Sequence, residues 1–236
     1  NCISYDPTYG YELAVIIQDG LRRMYGENES VWYYITTMND SYKMPALPEG
    51  DDVLEGIVKG LYCFEEGAQK ADKRVQLIGC GAIFEEVRAA AQILRDDFKI
   101  ESDIWSATSF NELRRDGLNA ARHNMLNPEA KPKTGWVEEK LAGRKGPVIA
   151  ASDYMKVYAD QIRDFVPGTF ITLGTDGFGR SDTRAKLREF FEVDRYFVVI
   201  AALTGLVKDG ELDASVVTDA LKKYNINGDK ANPLYC

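Results

Sequence analysis

Histidine is nearly absent from this chain, with one, His123, among 236 residues. Any Ser–His–Asp arrangement or histidine metal site would have to rest on it alone. It stands in the polar run Arg122-His123-Asn124, where a solvated or partly packed side chain is the simpler reading. Cysteine is also scarce. Cys2, Cys63, Cys80 and Cys236 form no Cys-x-x-Cys pair and have no histidine at ligand spacing, which argues against zinc and for a reducing compartment rather than a disulfide framework. No apolar run reaches the length of a membrane span, and Asn1 opens neither a signal nor a transit peptide. Basic residues number 29 against 37 acidic ones, a net charge of −8. Phosphate backbones need a concentrated basic face, so nucleic acid is not an expected partner.

What is present is ordinary for a globular protein: 45% hydrophobic and 28% charged residues, in a chain long enough to bury about 70% of its unfolded surface. Leu13, Ile16, Ile17, Leu21 and Met24 form a helical stripe after a turn at Pro7, closing at Gly26. A strand is expected over 31–38, then a proline-bearing loop over 39–50. Val53, Leu54, Ile57, Val58, Leu61 and Phe64 give a second helical stripe. The polar stretch 65–73, with Gly67, is the expected boundary between two parts. Beyond it, strands over 75–78, 103–107, 148–151 and 170–173 alternate with helices over 83–98, from about Asn111, over 136–141, and around Met155, Tyr158, Ile162 and Phe165. That alternation predicts an α/β fold, a mainly parallel sheet with helices on both faces. The apolar run 197–203 lies between Asp194 and Gly210 and reads as a buried helix, and Asp213 caps a last amphipathic one.

The motifs that could carry chemistry are few. Gly79-Cys80-Gly81 follows a strand and opens a helix, but Phe84 stands where a dinucleotide fingerprint needs its third glycine, so a tight turn is expected. Glu65-Glu66, Glu85-Glu86 and Glu138-Glu139 are sequence neighbours that cannot face each other on a helix and read as solvated faces. Tyr33, Tyr34 and Tyr42 read as core packing. The run 169–184, TFITLGTDGFGRSDTR, joins a strand to a glycine-relaxed loop and a helix start that Ser181 or Asp182 can cap. Such a loop leaves the carboxyl end of a strand, where open α/β sheets meet ligands and partners.

That run, with YYITTMNDSYKMPALPEG (33–50), SATSFNELRRDG (106–117) and ASDYMKVYADQIRDFVP (151–167), closely resembles the homodimeric bacterial-type first component of pyruvate dehydrogenase complexes. The resemblance extends over the whole chain and corresponds to the carboxyl-terminal part of a family chain several times longer. It implies that 1–66 end a thiamine-diphosphate pyrimidine-binding domain and that 67–236 form a transketolase-type C-terminal domain. It implies oxidative decarboxylation of pyruvate, with the cofactor as electron sink, and acetyl transfer to a lipoyl domain of the acetyltransferase component. It further implies thiamine diphosphate and Mg²⁺ in the parent enzyme, a homodimer and a cytoplasmic location. The family's Gly-Asp-Gly metal motif is missing: Asp19, Asp116, Asp176 and Asp209 precede glycines but none follows one. The ring-activating glutamate, by the resemblance, lies upstream of Asn1, and family members carry an aromatic where His123 stands. No catalytic, cofactor-binding or metal residue is therefore expected here, and the segment alone is expected to be inactive. The loop of Gly174, Asp176, Gly177, Phe178, Gly179, Arg180 and Ser181 remains a candidate for the subunit interface near the substrate channel. The alternative is a capped turn with a local ion-pair network among Asp176, Arg180, Asp182 and Arg184. A transketolase, another 2-oxo-acid decarboxylase or a stand-alone assembly module would be the other readings of the whole.

Overall fold

The structure, a computed structural model, describes every residue except Asp40 and Asp51. The chain opens with a parallel ribbon: Cys2–Tyr5 (β1) pairs in register with Trp32–Ile35 (β2). Between them Gly10–Leu21 (α1) passes into a π-turn over Arg22–Gly26, so the expected stripe is one helix in two windings. The strand expected over 31–38 is half that length, because β1 offers only four residues to pair with. The loop expected over 39–50 has no regular structure among its described residues, and Asp40 lies outside them.

Val53–Lys59 (α2) stops at Gly60, which is left-handed at φ 107°, and Tyr62–Glu65 (β3) follows. The reading of one helix through Phe64 is thereby corrected. Leu61 and Phe64 fit the 3.6-residue stripe by spacing alone, but the chain reverses at position 60, where an added Cβ would lie 2.5 Å from the carbonyl oxygen of Ser109.

The main sheet then forms from Arg74–Gly79 (β4), Glu101–Ser106 (β5), Val148–Ala151 (β6) and Phe170–Leu173 (β7). Its order is β3-β5-β4-β6-β7; β4 pairs in parallel with β5 and β6, β6 with β7, and β3 joins β5 antiparallel. The connections are Phe84–Phe98 (α3), Phe110–Leu126 (α4), Trp136–Leu141 (α5) and Lys156–Asp160 (α6). The helix expected across Met155 to Phe165 is broken into α6 and a 3₁₀ turn over Arg163–Phe165. Arg184–Phe190 (α7), Arg195–Lys208 (α8) and Ala214–Lys223 (α9) complete the chain. Asp194 and Asp213 cap α8 and α9 as expected.

Side chains alternate across the strands and build two cores. Val75, Leu77, Ile104, Ile149 and Ala151 pack with Val87 and Leu94 of α3 and Val199 and Leu206 of α8. On the opposite face Ile78, Trp105, Val148, Ala150 and Phe170 pack with Leu113 of α4 and Trp136 and Leu141 of α5. The mainly parallel sheet covered on both faces is thus as the alternation predicts. A third cluster, of Ile3, Tyr5, Ile16, Val53, Ile57 and Tyr62, joins the ribbon and α1 to the β3 edge.

Candidate functional site

The chain leaves β4 to pair on one flank with β5 and returns to pair on the other with β6. The carboxyl ends of β4 and β6 therefore bound a topological switch point, the place where open parallel sheets offer a crevice. A cavity of about 480 Å³ opens there, with Gly81 and Ala82 following β4 and Asp153 following β6. A second cavity, of about 300 Å³, shares Ala82, Asp153, Arg184 and Arg188 with it and extends under the loop after β7. Thr8, Thr37, Asn39 and Tyr42, from the amino-terminal part, close the opposite wall.

The loop singled out from the sequence roofs the second cavity, which Gly177, Gly179 and Arg180 line. Two of its glycines are structural requirements. A Cβ at Gly174 would lie 2.5 Å from the oxygen of Tyr154, and one at Gly177 (φ 103°) would lie 2.3 Å from that of Pro233. Gly179 has open space around it. Asp176 accepts the backbone N–H of Lys156 at 3.0 Å, and Arg180 lies over the Phe190 ring, 4.4 Å from its centroid. Phe178 is 81% exposed, Ser181 is exposed, and Arg184 donates to Asn39 Oδ1 at 3.1 Å. The helix cap is Thr183, whose hydroxyl accepts from Lys186 N; Ser181 and Asp182, the expected caps, lie before it.

Behind the cavities lie buried carboxylates that spacing did not reveal. Asp6 accepts hydroxyl bonds from Tyr158 at 2.5 Å, Thr36 at 2.7 Å and Tyr154 at 2.8 Å, tying the ribbon to α6. Glu12, fully buried, accepts four: the backbone N–H groups of Thr8 (2.5 Å) and Tyr9 (2.9 Å), Tyr62 Oη (2.6 Å) and Ser106 Oγ (2.7 Å). Burial raises its pKa, and these four bonds oppose that rise. The one signal for Glu12 was its place three residues after Tyr9, where a glutamate closes a helix start by a reciprocal bond.

Glu86 corrects the solvated-face reading. It is buried, receives Arg188 Nη1 at 2.9 Å and Arg195 Nε at 2.8 Å, and also accepts the backbone N–H of Arg195. Burial pushes its pKa up, but the Arg195 bonds and both guanidinium charges outweigh this and hold it below the ordinary value. Glu85 binds Tyr9 Oη and Arg88, Glu65 pairs with Arg95, and Glu66 with Arg144. Asp153 differs from all of these. It is exposed, and among the described residues its side chain has no hydrogen-bond or ion-pair partner in another residue; partial loss of solvent raises its pKa, its own backbone N–H opposes the rise, the Asp6 charge adds to it and Arg188 opposes it. Of the tyrosines read as core, Tyr33 donates to Asp19 and stacks on Tyr5, and Tyr42 bonds to the Thr8 oxygen, but Tyr34 is 58% exposed. His123 lies in the last turn of α4, near Asn127.

Three or more histidine, cysteine or carboxylate groups do not converge at any metal-sized centre among the described residues. Without a Gly-Asp-Gly run either, the donor sets here do not fit a Mg²⁺-diphosphate anchor. No chemical step is assigned to these residues. Likewise, no helix among the described residues is long and apolar enough to cross a membrane.

Residues 60–194 match the transketolase-like C-terminal domain, which defines the class of the main sheet and its helices. Two solved transketolases share the fold. One, from Leishmania mexicana, has a TM-score of 0.55 at 13% identity over 88% of this chain and 26% of that one; the other, a mutant from Pichia stipitis, has 0.55 at 15% over 90% and 26%. Residues 1–45 match the middle domain of the pyruvate dehydrogenase E1 component. The curated pyruvate dehydrogenase E1 component of Pseudomonas aeruginosa is 56% identical over 100% of this chain and 27% of its own length. Those of Cupriavidus necator and Escherichia coli are 53% and 52% identical, each over 99% of this chain and 26% of theirs. The chain belongs to the pyruvate dehydrogenase E1 component family, as the quoted runs implied, and spans about a quarter of the length of the curated relatives it matches.

Proposed function

We propose that the protein containing this chain is the thiamine-diphosphate- and Mg²⁺-dependent first component of a cytoplasmic pyruvate dehydrogenase complex. It decarboxylates pyruvate oxidatively as a homodimer and passes the acetyl group to the lipoyl-bearing acetyltransferase. Identity of 56% over the full length of the chain carries this reading, since a transketolase likeness at 13–15% speaks for the fold alone. Within that enzyme the present residues are scaffold. The boundary expected at 66/67 is moved in this proposal ahead of β3, because β3 pairs with β5 of the main sheet and the match to the C-terminal domain begins at residue 60.

The loop at Gly174 to Ser181 is the proposed dimer-supporting element, packing at the subunit interface beside the substrate channel. Phe178 supports this: a phenylalanine 81% exposed, next in sequence to Gly177, whose backbone lies against Pro233 and Leu234, is apolar surface that a partner subunit would cover. The test of the activity uses the full-length protein with thiamine diphosphate and Mg²⁺, offered pyruvate or xylulose 5-phosphate, with ferricyanide as electron acceptor. Turnover on pyruvate is expected. Turnover on the sugar phosphate alone would assign the protein to the transketolases.

A further inference from the structure

The outward face of α4 has a composition that the scaffold role does not use. Arg114, Arg115, Leu118, Arg122, Met125 and Leu126 are all exposed, the three apolar ones at 45%, 72% and 54%. At about 100° per residue they fall within roughly one third of the helix circumference, with Leu118 and Met125 in line and Arg114 and Arg122 flanking them. The two acids of the helix lie outside that third. Glu112 pairs with Arg115, and Asp116 accepts the backbone N–H of Trp136. Arg115 also donates to the Cys2 oxygen, whereas Arg114 and Arg122 have no partner among the described residues.

The amino-terminal half of this face opens into a recess of about 380 Å³, walled by β1, α4 and Gln161 and lined by no carboxylate among the described residues. Asn111 is bonded there to Ser4 and Gln161 to Asn111, which leaves the Arg114 guanidinium and the Asn119 amide as the unpaired donors. We propose that this face docks an acidic amphipathic helix of a partner protein. One carboxylate of that helix enters the recess at Arg114 and Asn119, a second pairs with Arg122, and apolar side chains between them cover Leu118 and Met125. The eight-residue step from Arg114 to Arg122 spans about 12 Å, close to the spacing of carboxylates two turns apart on a facing helix. In a chain of net charge −8 this is a face that attracts an acidic segment while the surface as a whole repels it, which fixes where the partner lands. A second copy set face to face would oppose arginines to arginines. Two unpaired arginines are also too few to hold a phosphate backbone.

Fluorescence anisotropy, with the full-length protein titrated into a dye-labelled helical peptide bearing glutamates two turns apart and leucines between them, tests this without any turnover assay. Saturable binding is expected, weakening as salt is raised. Arg114→Ala and Arg122→Ala lie on open surface and should fold, as circular dichroism verifies, and each should weaken binding about threefold to fivefold, the worth of one exposed charge pair. Met125→Ala should weaken it about threefold or more through lost apolar cover. No saturable binding up to about 1 mM would overturn the proposal, as would equal binding of the glutamine counterpart of the peptide or binding indifferent to the double arginine variant. Self-association in sedimentation that Leu118→Glu abolishes would give the face to a second copy and overturn it equally.

Discussion

Glu12 holds the amino-terminal helix to the main sheet, and its removal should be among the most damaging single changes in the chain. The carboxylate accepts two backbone amides of its own helix start, Tyr62 Oη of β3 and Ser106 Oγ of β5, all in a fully buried setting. In Glu12→Ala the hydroxyls can turn, Tyr62 toward Tyr11 Oη at 2.7 Å, but the amides of Thr8 and Tyr9 cannot. Two orphaned buried amides at about 1–3 kcal/mol each, less the desolvation relieved by deleting a charge, leave a loss of about 3 kcal/mol. For a unit of this size that lowers the melting temperature by roughly 6–12 °C. Glu12→Gln keeps a carbonyl for the amides and turns its NH₂ to the rotatable hydroxyls, so its loss should be about 1 kcal/mol.

The pH dependence has a definite sign. Burial raises the folded pKa of Glu12 above its unfolded value of about 4.3, so its contribution favours folding at low pH and is lost as pH rises through the folded value. In Glu12→Gln that decline should vanish. Urea midpoints of the three proteins across pH, with hydrogen exchange at Thr8 and Tyr9, give the comparison. An alanine variant within about 0.5 kcal/mol of the parent, or glutamine as harmful as alanine, would refute the reasoning.

Glu86→Ala should destabilise by about 3 kcal/mol, because Arg188 and Arg195 lose a buried common partner. The lowered pKa of Glu86 has the opposite pH sign: its stabilisation is present above about pH 4.3 and lost as pH falls through the folded value. The parent's acid-unfolding profile, set against that of Glu86→Gln, checks this. Gly177→Ala should release the segment at Pro233–Tyr235, since a Cβ at φ 103° lies 2.3 Å from the Pro233 oxygen. Faster proteolytic trimming after Asn232, with the urea midpoint almost unchanged, is the expected readout.

The regular frame was legible because its signals are local. β6, β7 and α5 have the expected bounds, and the Asp194 and Asp213 caps needed only a capping residue ahead of an apolar stripe. β1 and β3 were missed because four residues carry too little alternation to outweigh a competing period, and β3 exists only by pairing across sequence with β5. The buried carboxylates were missed for the same reason. Glu86 is ordinary until α7 and α8 bring arginines from over a hundred residues away. Thr36, Tyr154 and Tyr158 reach Asp6 through the tertiary fold alone. The loop after β7 was identified by its glycines, but its ties run outward, to Lys156 and Phe190, and were invisible in its own charge pattern.

The central proposal is that these residues are the scaffold of a pyruvate dehydrogenase first component whose reacting groups lie elsewhere in the full protein. The direct test compares pyruvate-dependent ferricyanide reduction by residues 1–236 alone and by the full-length protein, at equal molarity and with thiamine diphosphate and Mg²⁺. The account predicts turnover by the full-length protein and none above the protein-free blank for the segment. Turnover by the segment, or a full-length protein inert toward pyruvate, would contradict it.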